Sequence, residues 1–432
     1  MKHFIRLEEL LCEPDRLTYK FSSSLEVFNQ KSFFIEYDRD ISDAPESIRT
    51  VPFAAVMAPI AQATGAELIL PSLDEEFAKS LDRCGEYFKK WFSKKWLFTS
   101  RLDAPLVRNE FTPDRYAMLF SGGLDSLATY IRHKDKQPLL FTVLGADIPL
   151  SHNTFIQLCK EKLEDFARKE NVSIRYIRTD VREMLDSESL KRYAGNWYGD
   201  VAHGLMLSSL IAPATYDTVK SLMLASCSHR PNCRYTCGSQ KELIQEISWG
   251  GTSVENDNHE LNRCEKIRTY LKQDPRYYSY IRVCWMQFQS LNCSRCEKCL
   301  RTICELLMNN IDPARCNFII DADTLPQLKK RMLKEYYFFF RGESALDFWR
   351  TIQEDIRIDE IEDRYGAREF FRWFSGFEKI KQRQNPILLH LSSEWMNTRT
   401  VAAKPVKNLY NRFKKIREEA LLMKRDPVKA QA

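Results

Sequence analysis

Residues 121–126, with the sequence Ser-Gly-Gly-Leu-Asp-Ser, constrain the fold more than any other segment because of what stands on either side. The apolar run at residues 116–120 predicts a buried strand, and apolar residues at helical spacing over residues 127–132 predict a helix. A strand, a glycine turn and a helix in this order point free backbone N–H groups and the positive end of the helix dipole at an anion. Because glycine carries no Cβ, the anion can approach the turn closely. The segment therefore predicts an anion-binding loop at the end of a strand.

The side chains of this loop add to the same chemistry. Ser121 and Ser126 supply hydroxyl donors, and Asp125 can bind a magnesium ion directly or through water. A chance glycine turn is the alternative, and the predicted strand and helix around the segment argue against it.

Strands and helices alternate through the middle of the chain, which predicts right-handed βαβ crossovers and an α/β fold with a doubly wound parallel sheet. After the loop, the pattern predicts strands at Pro138–Leu144, Ser173–Arg178 and Ser221–Ala225 and helices at residues 153–170 and 201–212. Ligands of such sheets bind beyond the carboxyl ends of the strands. We therefore expect Gly145, Asp147, Cys227 and His229, which follow predicted strands, to lie near the loop.

A second motif consists of Cys284, eight intervening residues, and Cys293, Cys296 and Cys299 at two-residue gaps. Four thiolates complete a tetrahedral zinc site, and short gaps let a knuckle present neighbouring sulfurs to one ion. We expect Cys284 to end a strand at residues 280–283 and Cys299 to open a helix over Leu300–Met308. Reduced core cysteines and an iron–sulfur cluster are the weaker alternatives.

The two motifs together resemble one family, the 7-cyano-7-deazaguanine synthases of the QueC type, a branch of the PP-loop ATP pyrophosphatases. The resemblance covers residues 116–308. It implies that the loop binds ATP with Mg2+, that a carboxylate is adenylated with release of pyrophosphate, and that a nitrogen nucleophile then displaces AMP. The loop residues of the family map onto Ser121, Gly122, Gly123, Leu124, Asp125 and Ser126, with catalytic roles for Asp125 and Ser126, and its zinc ligands map onto Cys284, Cys293, Cys296 and Cys299.

The chain departs from the family pattern in ways that bear on the substrate. The family's Pro-Gly-Arg-Asn segment is replaced by residues 198–203, and Asn232 stands where the family has an acid. Long segments precede the loop and follow the cysteines, as in enlarged relatives from antiviral defence systems, some of which attach a deazaguanine to a protein. The resemblance therefore implies a small carboxylate substrate, such as a 7-deazaguanine derivative, and either ammonia or a protein amine as acceptor.

The pattern divides the chain into four parts. We predict an N-terminal α/β domain over residues 1–112, a PP-loop domain with the cysteine motif over 113–311, a mostly helical region over 312–403 and a basic amphipathic tail over 404–432. In the N-terminal part we expect a strand at Ser32–Tyr37, a helix at 52–64 and a second helix at 74–92. The aromatic clusters at residues 336–340 and 370–374 are interpreted as core packing.

The net charge and the cysteine content limit which partners and which cell compartment we expect for the protein. The tail carries nine basic and three acidic residues, which accounts for the whole net charge of +6 and leaves the remainder neutral. This argues against a nucleic-acid-binding surface, while the tail can dock a protein partner, an anionic surface or its own domain. Thirteen cysteines without a signal-peptide apolar segment predict a cytoplasmic protein. The uncharged stretches 51–66 and 201–216 are too short for membrane spans and predict buried helices.

Several polar residues have two interpretations. His203 and His229 can act as acid–base catalysts, but a hydrogen-bonded structural histidine is more common. Cys227, Cys233 and Cys237 have gaps that suit no common metal pattern.

For the whole chain, the main hypothesis is an AMP- and pyrophosphate-forming ligase that joins a carboxylate to a nitrogen nucleophile. The alternatives are a transfer-RNA sulfur-insertion enzyme and a non-catalytic, nucleotide-gated binding module.

Overall fold

The structure is a computed structural model of the 432-residue chain, and it describes residues 3–226, 236–340 and 343–381. Within these residues the strands are β1 (Phe4–Glu13), β2 (Arg16–Ser23), β3 (Ser32–Tyr37), β4 (Glu67–Ile69), β5 (Leu73–Asp74), β6 (Arg101–Asp103), β7 (Leu106–Val107), β8 (Arg115–Leu119), β9 (Leu139–Leu144), β10 (Ile174–Thr179), β11 (Val219–Ala225), β12 (Ser248–Trp249) and β13 (Thr252–Asp257).

The α-helices of the same residues are α1 (Glu46–Arg49), α2 (Val51–Thr64), α3 (Glu75–Phe92), α4 (Leu124–His133), α5 (Asn153–Glu170), α6 (Val181–Met184), α7 (Ser187–Leu190), α8 (His203–Ser209), α9 (Ala212–Thr215), α10 (Lys241–Ile244), α11 (Arg263–Lys266), α12 (Glu297–Met308), α13 (Thr324–Lys334), α14 (Tyr336–Phe339), α15 (Glu343–Glu354) and α16 (Ala367–Ser375). Two π-helical turns, Tyr198–Ala202 and Ile267–Leu271, run into α8 and out of α11.

Eleven strands form one sheet in the order β12-β13-β11-β8-β9-β10-β3-β2-β1-β4-β6, while β5 and β7 pair separately. The five strands β13, β11, β8, β9 and β10 are mutually parallel. From β8 the chain first adds β9 and β10 on one side and later adds β11 and β13 on the other. The predicted α/β class with a mostly parallel central sheet is confirmed. The direction of winding reverses at β8, and ligands of open α/β sheets bind at such a reversal.

The central strands are buried on both faces. Along β8, Ala117 and Leu119 belong to one apolar core, which also contains residues of α2, α3 and α8. Met118 and Phe120 belong to a second core, made with α4, α5, α12 and the C-terminal helices α13–α16. Since successive side chains of a strand point to opposite faces, each face of the sheet has its own helical layer. The N-terminal part of the chain thus contributes to one layer and the C-terminal part to the other.

The sheet continues past the predicted domain boundary at residue 112. Strand β3 from the N-terminal part pairs antiparallel with β10 from the central part, so that Tyr37 faces Ile177 and Ile35 faces Thr179. Predicted elements of this part are present: β3 has the predicted bounds, and α2 is buried and ends at Gly65, whose φ is +70°. The four-part division of the chain stays a prediction, since the sheet does not mark its first boundary.

Two expectations near the cysteines are wrong in detail. Residues 280–283 do not form a strand, because the backbone N–H groups of Val283 and Cys284 donate to the Asn292 side chain instead of to a neighbouring strand. The following helix, α12, begins at Glu297 and not at Leu300, because the Cys296 side chain accepts a hydrogen bond from the Cys299 N–H and so caps the first turn. Both differences arise from local hydrogen bonds that shape the cysteine loop.

The described part of the C-terminal region, residues 312–381, is mostly helical, as predicted. Its aromatic clusters pack in the core: Tyr336, Phe339 and Phe340 are buried, and so are Phe370 and Phe374. The tail at residues 404–432 lies outside the described residues. Over the part of the chain that the structure describes, no helix is both long enough and apolar enough to cross a membrane.

Candidate active site and metal centre

The glycine loop lies between the end of β8 and the start of α4, as the sequence predicts. Gly122 adopts a φ of +68°, a left-handed conformation that favours glycine, and Gly123 is the N-cap of α4. The Ser126 hydroxyl donates to the Gly123 carbonyl at 2.9 Å, and the Gly123 N–H donates to Ser121 Oγ at 3.2 Å. These bonds close the loop on itself and fix its shape.

The first turn of α4 leaves backbone donors free. Among the described residues, the N–H groups of Leu124, Asp125 and Ser126 have no acceptor. Free N–H groups at the start of a helix, together with its dipole, favour an anion. The loop therefore has the backbone geometry of an anion-binding site.

A cavity of about 310 Å³ opens in front of this loop, at the carboxyl ends of β8, β9 and β11. Besides the loop, its polar lining residues are Thr142, Asp147, His203, Arg282 and Lys298. Asp147 was predicted to lie near the loop, and it does. The expected neighbours Cys227 and His229, as well as Cys233 and Asn232, lie outside the described residues. The volume is within the range of small-molecule sites.

Gly145 shapes one wall of this region. Its φ is +95°, and a Cβ at this position would stand 1.7 Å from the carbonyl oxygen of Thr179. Any other residue would therefore push β9 and β10 apart where their ends meet. The glycine lets the chain turn sharply and places Asp147 in the cavity.

Asp125 is held by buried cations, which the sequence reading did not anticipate. Its carboxylate accepts a hydrogen bond from Arg263 Nη2 at 2.7 Å, and Lys266 Nζ lies 3.5 Å from its Oδ1 atom. Arg263 also lies 3.8 Å from Glu305, and both side chains are buried. Burial alone would raise the pKa of Asp125, but the charges of Arg263, Lys266 and Lys298 outweigh it and hold that pKa well below its usual value. Asp125 therefore joins the loop to α11, while its role toward magnesium stays a prediction.

Replacing Asp125 with Asn should lower the free energy of unfolding at pH 7 by about 3 kcal/mol, because it removes the carboxylate that the buried Lys266 and Arg263 share. A carboxylate with a depressed pKa stabilises the fold above its unfolded pKa of about 3.9, and this contribution is lost as the pH falls further. In denaturant unfolding, the wild type should therefore have a higher free energy of unfolding than the Asp125→Asn variant at pH 7, and this difference should shrink below about pH 4.

The exposed carboxylate of Asp135, just beyond α4, provides the control. The Asp135→Asn variant should stay within about 0.5 kcal/mol of the wild type. Equal stabilities of the wild type and the Asp125→Asn variant at pH 7 would show that the ion pairs do not support the fold.

Lys298 supplies a positive charge to the cavity. It lies in the first turn of α12 and lines the cavity, and no described residue accepts a hydrogen bond from its ammonium or pairs with it. Its charge lowers the pKa values of Asp125 and Asp147 and also that of His203. The ammonium therefore contributes positive charge to the cavity, where an anionic ligand can meet it.

Asp147 and His203 line the same cavity, and other polar side chains contact them from outside its lining. The Tyr198 hydroxyl donates to Asp147 Oδ1 at 3.0 Å, and the Arg182 guanidinium lies 3.8 Å above the Tyr198 ring. His203, directly after the π-helical turn, meets the Tyr198 ring edge-on at 5.2 Å. Burial alone would raise the pKa of Asp147, but the charges of His203, Lys298 and Arg282 lower it. We call the part of the cavity at the loop N–H groups and Lys298 its cationic end, and the part at the Asp147 carboxylate its acidic end.

The four predicted cysteines come together. The sulfur atoms of Cys284, Cys293, Cys296 and Cys299 all lie within 4.8 Å of one another. The sulfurs of Cys293 and Cys299 are 3.8 Å apart, and a tetrahedral ion with bonds of 2.3 Å requires about 3.8 Å. Backbone N–H groups point at two of the sulfurs, from Cys296 to Cys293 and from Cys299 to Cys296. The four side chains therefore fit one tetrahedral metal ion.

This is the one group of three or more possible metal ligands that the described residues bring together. Cys237 is not part of it, and Cys227 and Cys233 lie outside the described residues. Hydrogen bonds from the other three thiols lower the pKa of Cys284, which favours the thiolate form that a metal binds.

Residues other than the motif side chains connect the cysteine loop, residues 284–299, to the rest of the site. Asn292 is buried, accepts the N–H groups of Val283 and Cys284, and donates to the carbonyl of Ile281. The Arg282 N–H donates to the Gly122 carbonyl at 3.1 Å, so the backbone just before the cysteine loop is bonded to the glycine loop. Asn292 is an unspecified position of the cysteine motif and Arg263 lies outside both motifs, and a lone polar residue gives no sequence signal for such a role.

Comparison with protein-family models found no match, and neither the curated proteins nor the solved structures gave one.

Proposed function

We propose that the protein is an ATP-dependent, AMP- and pyrophosphate-forming ligase that adenylates a carboxylate and transfers it to a nitrogen nucleophile. The observation that carries this proposal is the shared cavity. The free N–H groups of the glycine loop and the Lys298 ammonium face the same space as Asp147 and His203. One cavity can then hold a nucleotide phosphate at its cationic end and an organic substrate at its acidic end.

The cationic end suits the first chemical step. A substrate carboxylate attacks the α-phosphate of ATP, and pyrophosphate leaves with the bonding electrons. The helix N-terminus and Lys298 stabilise the charge that develops on the phosphates. The winding reversal at β8 supports a PP-loop-type fold, which would place these phosphates at the loop. Magnesium bound with ATP would supply further charge neutralisation.

The acidic end suits recognition of a polar heterocycle. Asp147 has one carboxylate oxygen bonded to Tyr198, and its other oxygen can accept an N–H group of a ligand. A 7-deazaguanine derivative carries such N–H groups next to each other, which makes it the first candidate acid. Ammonia or a protein amine would be the acceptor.

We propose zinc for the four-cysteine centre. Four thiolates with two short gaps are typical of structural zinc, and four protein ligands leave no position for a substrate. The centre then holds Arg282 and Lys298 in place beside the cavity. Because thiolates and a bound zinc ion persist in a reducing compartment, we also propose a cytoplasmic location.

The test is incubation with ATP and Mg2+, with and without a panel of carboxylic acids that includes 7-carboxy-7-deazaguanine. We expect AMP and pyrophosphate release that depends on one acid, measured by liquid chromatography and a coupled pyrophosphate assay. Dependence on transfer RNA would indicate sulfur insertion. Nucleotide binding with no cleavage under any condition would indicate a binding module and contradict the proposal.

A further inference from the structure

His203, for which the sequence allows either an acid–base or a structural role, is placed to take part in chemistry. Its Nδ1 atom lies 2.5 Å from Ser239 Oγ, and the ring lines the cavity. No described residue hydrogen-bonds its Nε2 atom. One ring nitrogen is therefore anchored while the other remains available to a ligand.

The backbone around His203 is locked. The Gly204 N–H donates to the Gly238 carbonyl at 3.0 Å, and the Gly238 N–H donates to the Gly199 carbonyl at 2.8 Å. These bonds join the segment that carries Ser239 to the π-helical turn before His203. The Ser239 carbonyl in turn accepts a hydrogen bond from Asn256. π-Helical turns are frequent at functional sites. Here the π-helical turn before His203 fixes the orientation of the imidazole.

We propose that His203 is the general base of the transfer step, taking the proton from the nitrogen nucleophile as it attacks the acyl adenylate. This inference rests on the proposed ligase function and assigns a residue to its second half-reaction. The amine nitrogen forms a bond to the carbonyl carbon, and the bond from that carbon to the phosphate oxygen breaks. Its electron pair leaves with AMP, while the proton passes from nitrogen to Nε2 and later to solvent.

The charged and titratable groups around His203 suit this role. Burial lowers its pKa, so that the ring is neutral and can accept a proton near pH 7, and Lys298 and Arg182 act in the same direction. The Asp147 carboxylate, bonded to Tyr198, opposes these effects and would stabilise the imidazolium once it forms. The imidazole of His203 is therefore neutral before the reaction. The Asp147 carboxylate can stabilise the imidazolium for the short time that His203 carries the proton.

The experiment separates the two half-reactions in His203→Gln, using the panel acid that supports AMP release in the wild type. Exchange of labelled pyrophosphate into ATP reports adenylation. Amide formation with ammonium chloride reports base-dependent transfer. Hydroxamate formation with hydroxylamine reports transfer to a nucleophile that is already unprotonated near pH 7. Amide formation should fall by about 100-fold or more, while exchange and hydroxamate formation fall by less than about tenfold.

The partly exposed His259, which lies outside the cavity lining, provides the control, and His259→Gln should behave as the wild type. Ser239→Ala, which leaves the imidazole but removes its anchor, should lower amide formation by about tenfold and keep exchange, and it serves if His203→Gln does not fold. An equal loss in all three assays, or unchanged amide formation, would overturn the role of His203. A wild type that shows no exchange with any acid would overturn the ligase function and the inference with it.

Discussion

Replacing Cys296 with serine should release the metal and strongly destabilise the protein. The four sulfurs lie within 4.8 Å of one another and fit a closed tetrahedral site, so the loss of one ligand breaks the set. Metal binding to such sites contributes on the order of 10 kcal/mol of apparent free energy, more than most domains have as net stability. We expect about one zinc per chain in the wild type and near none in Cys296→Ser, measured by elemental analysis.

The consequences should extend beyond the cysteine loop. Glu297, beside Cys296, accepts a hydrogen bond from the indole N–H of Trp349 in α15, and it pairs with Arg301. Because α15 lies in the core that also contains Cys299, we expect lower yield and a lower midpoint of thermal unfolding before any specific chemical defect.

The matched control is Cys304→Ser, because Cys304 is a buried cysteine of the same helix that does not belong to the metal cluster. It should keep a full complement of zinc. Iron with a visible absorption band, or full zinc retained after Cys296→Ser, would contradict the assignment.

Replacing Lys298 with methionine should abolish most ATP cleavage while the protein stays folded. The ammonium lines the cavity and has no partner among the described residues, so its removal costs no ion pair there. Removing a single preorganised charge or donor from a transition state typically lowers the rate by about 100- to 1000-fold. Acid-dependent pyrophosphate release should fall by that factor.

Thermal stability should be unchanged or slightly higher in Lys298→Met, since the neutral side chain is easier to bury beside Arg263. Zinc content should remain near that of the wild type. The exposed Lys272 provides the control, and Lys272→Met should retain full activity. Wild-type turnover in Lys298→Met would remove Lys298 from the phosphate site.

Much of the site could be predicted because its signals are local. The turn at residues 121–126 depends on the conformational freedom of Gly122 and on the strand and helix beside it, and all of these lie within about twenty residues. The cysteine cluster likewise depends on short gaps between Cys293, Cys296 and Cys299, and only Cys284 comes from further away. The strands predicted at Pro138–Leu144, Ser173–Arg178 and Ser221–Ala225 are present for the same reason, whereas the one predicted at residues 280–283 is not.

The tertiary structure decided which charges meet. From the sequence, Asp125 is predicted to bind a metal ion. In the folded protein it lies against Arg263 and Lys266, which follow about 140 residues later in the chain. Their pairing depends on the packing of α11 against α4, and no periodicity in the sequence encodes that contact. Asn292, whose amide holds the backbone at residues 283 and 284, escaped prediction for the same reason.

For the strands, too, local structure follows from the sequence, whereas the choice of the neighbouring strand depends on the tertiary structure. The sequence by itself determined that β3 is a strand, since its alternation of buried and partly exposed residues is a local property. Only the tertiary structure decided that β3 would join β10 and extend one sheet past residue 112, because any exposed strand edge offers the same hydrogen-bonding groups. The sequence therefore determined the local elements, the glycine loop and the four cysteines of the cluster. Their long-range neighbours were set by which faces and charges could be buried together.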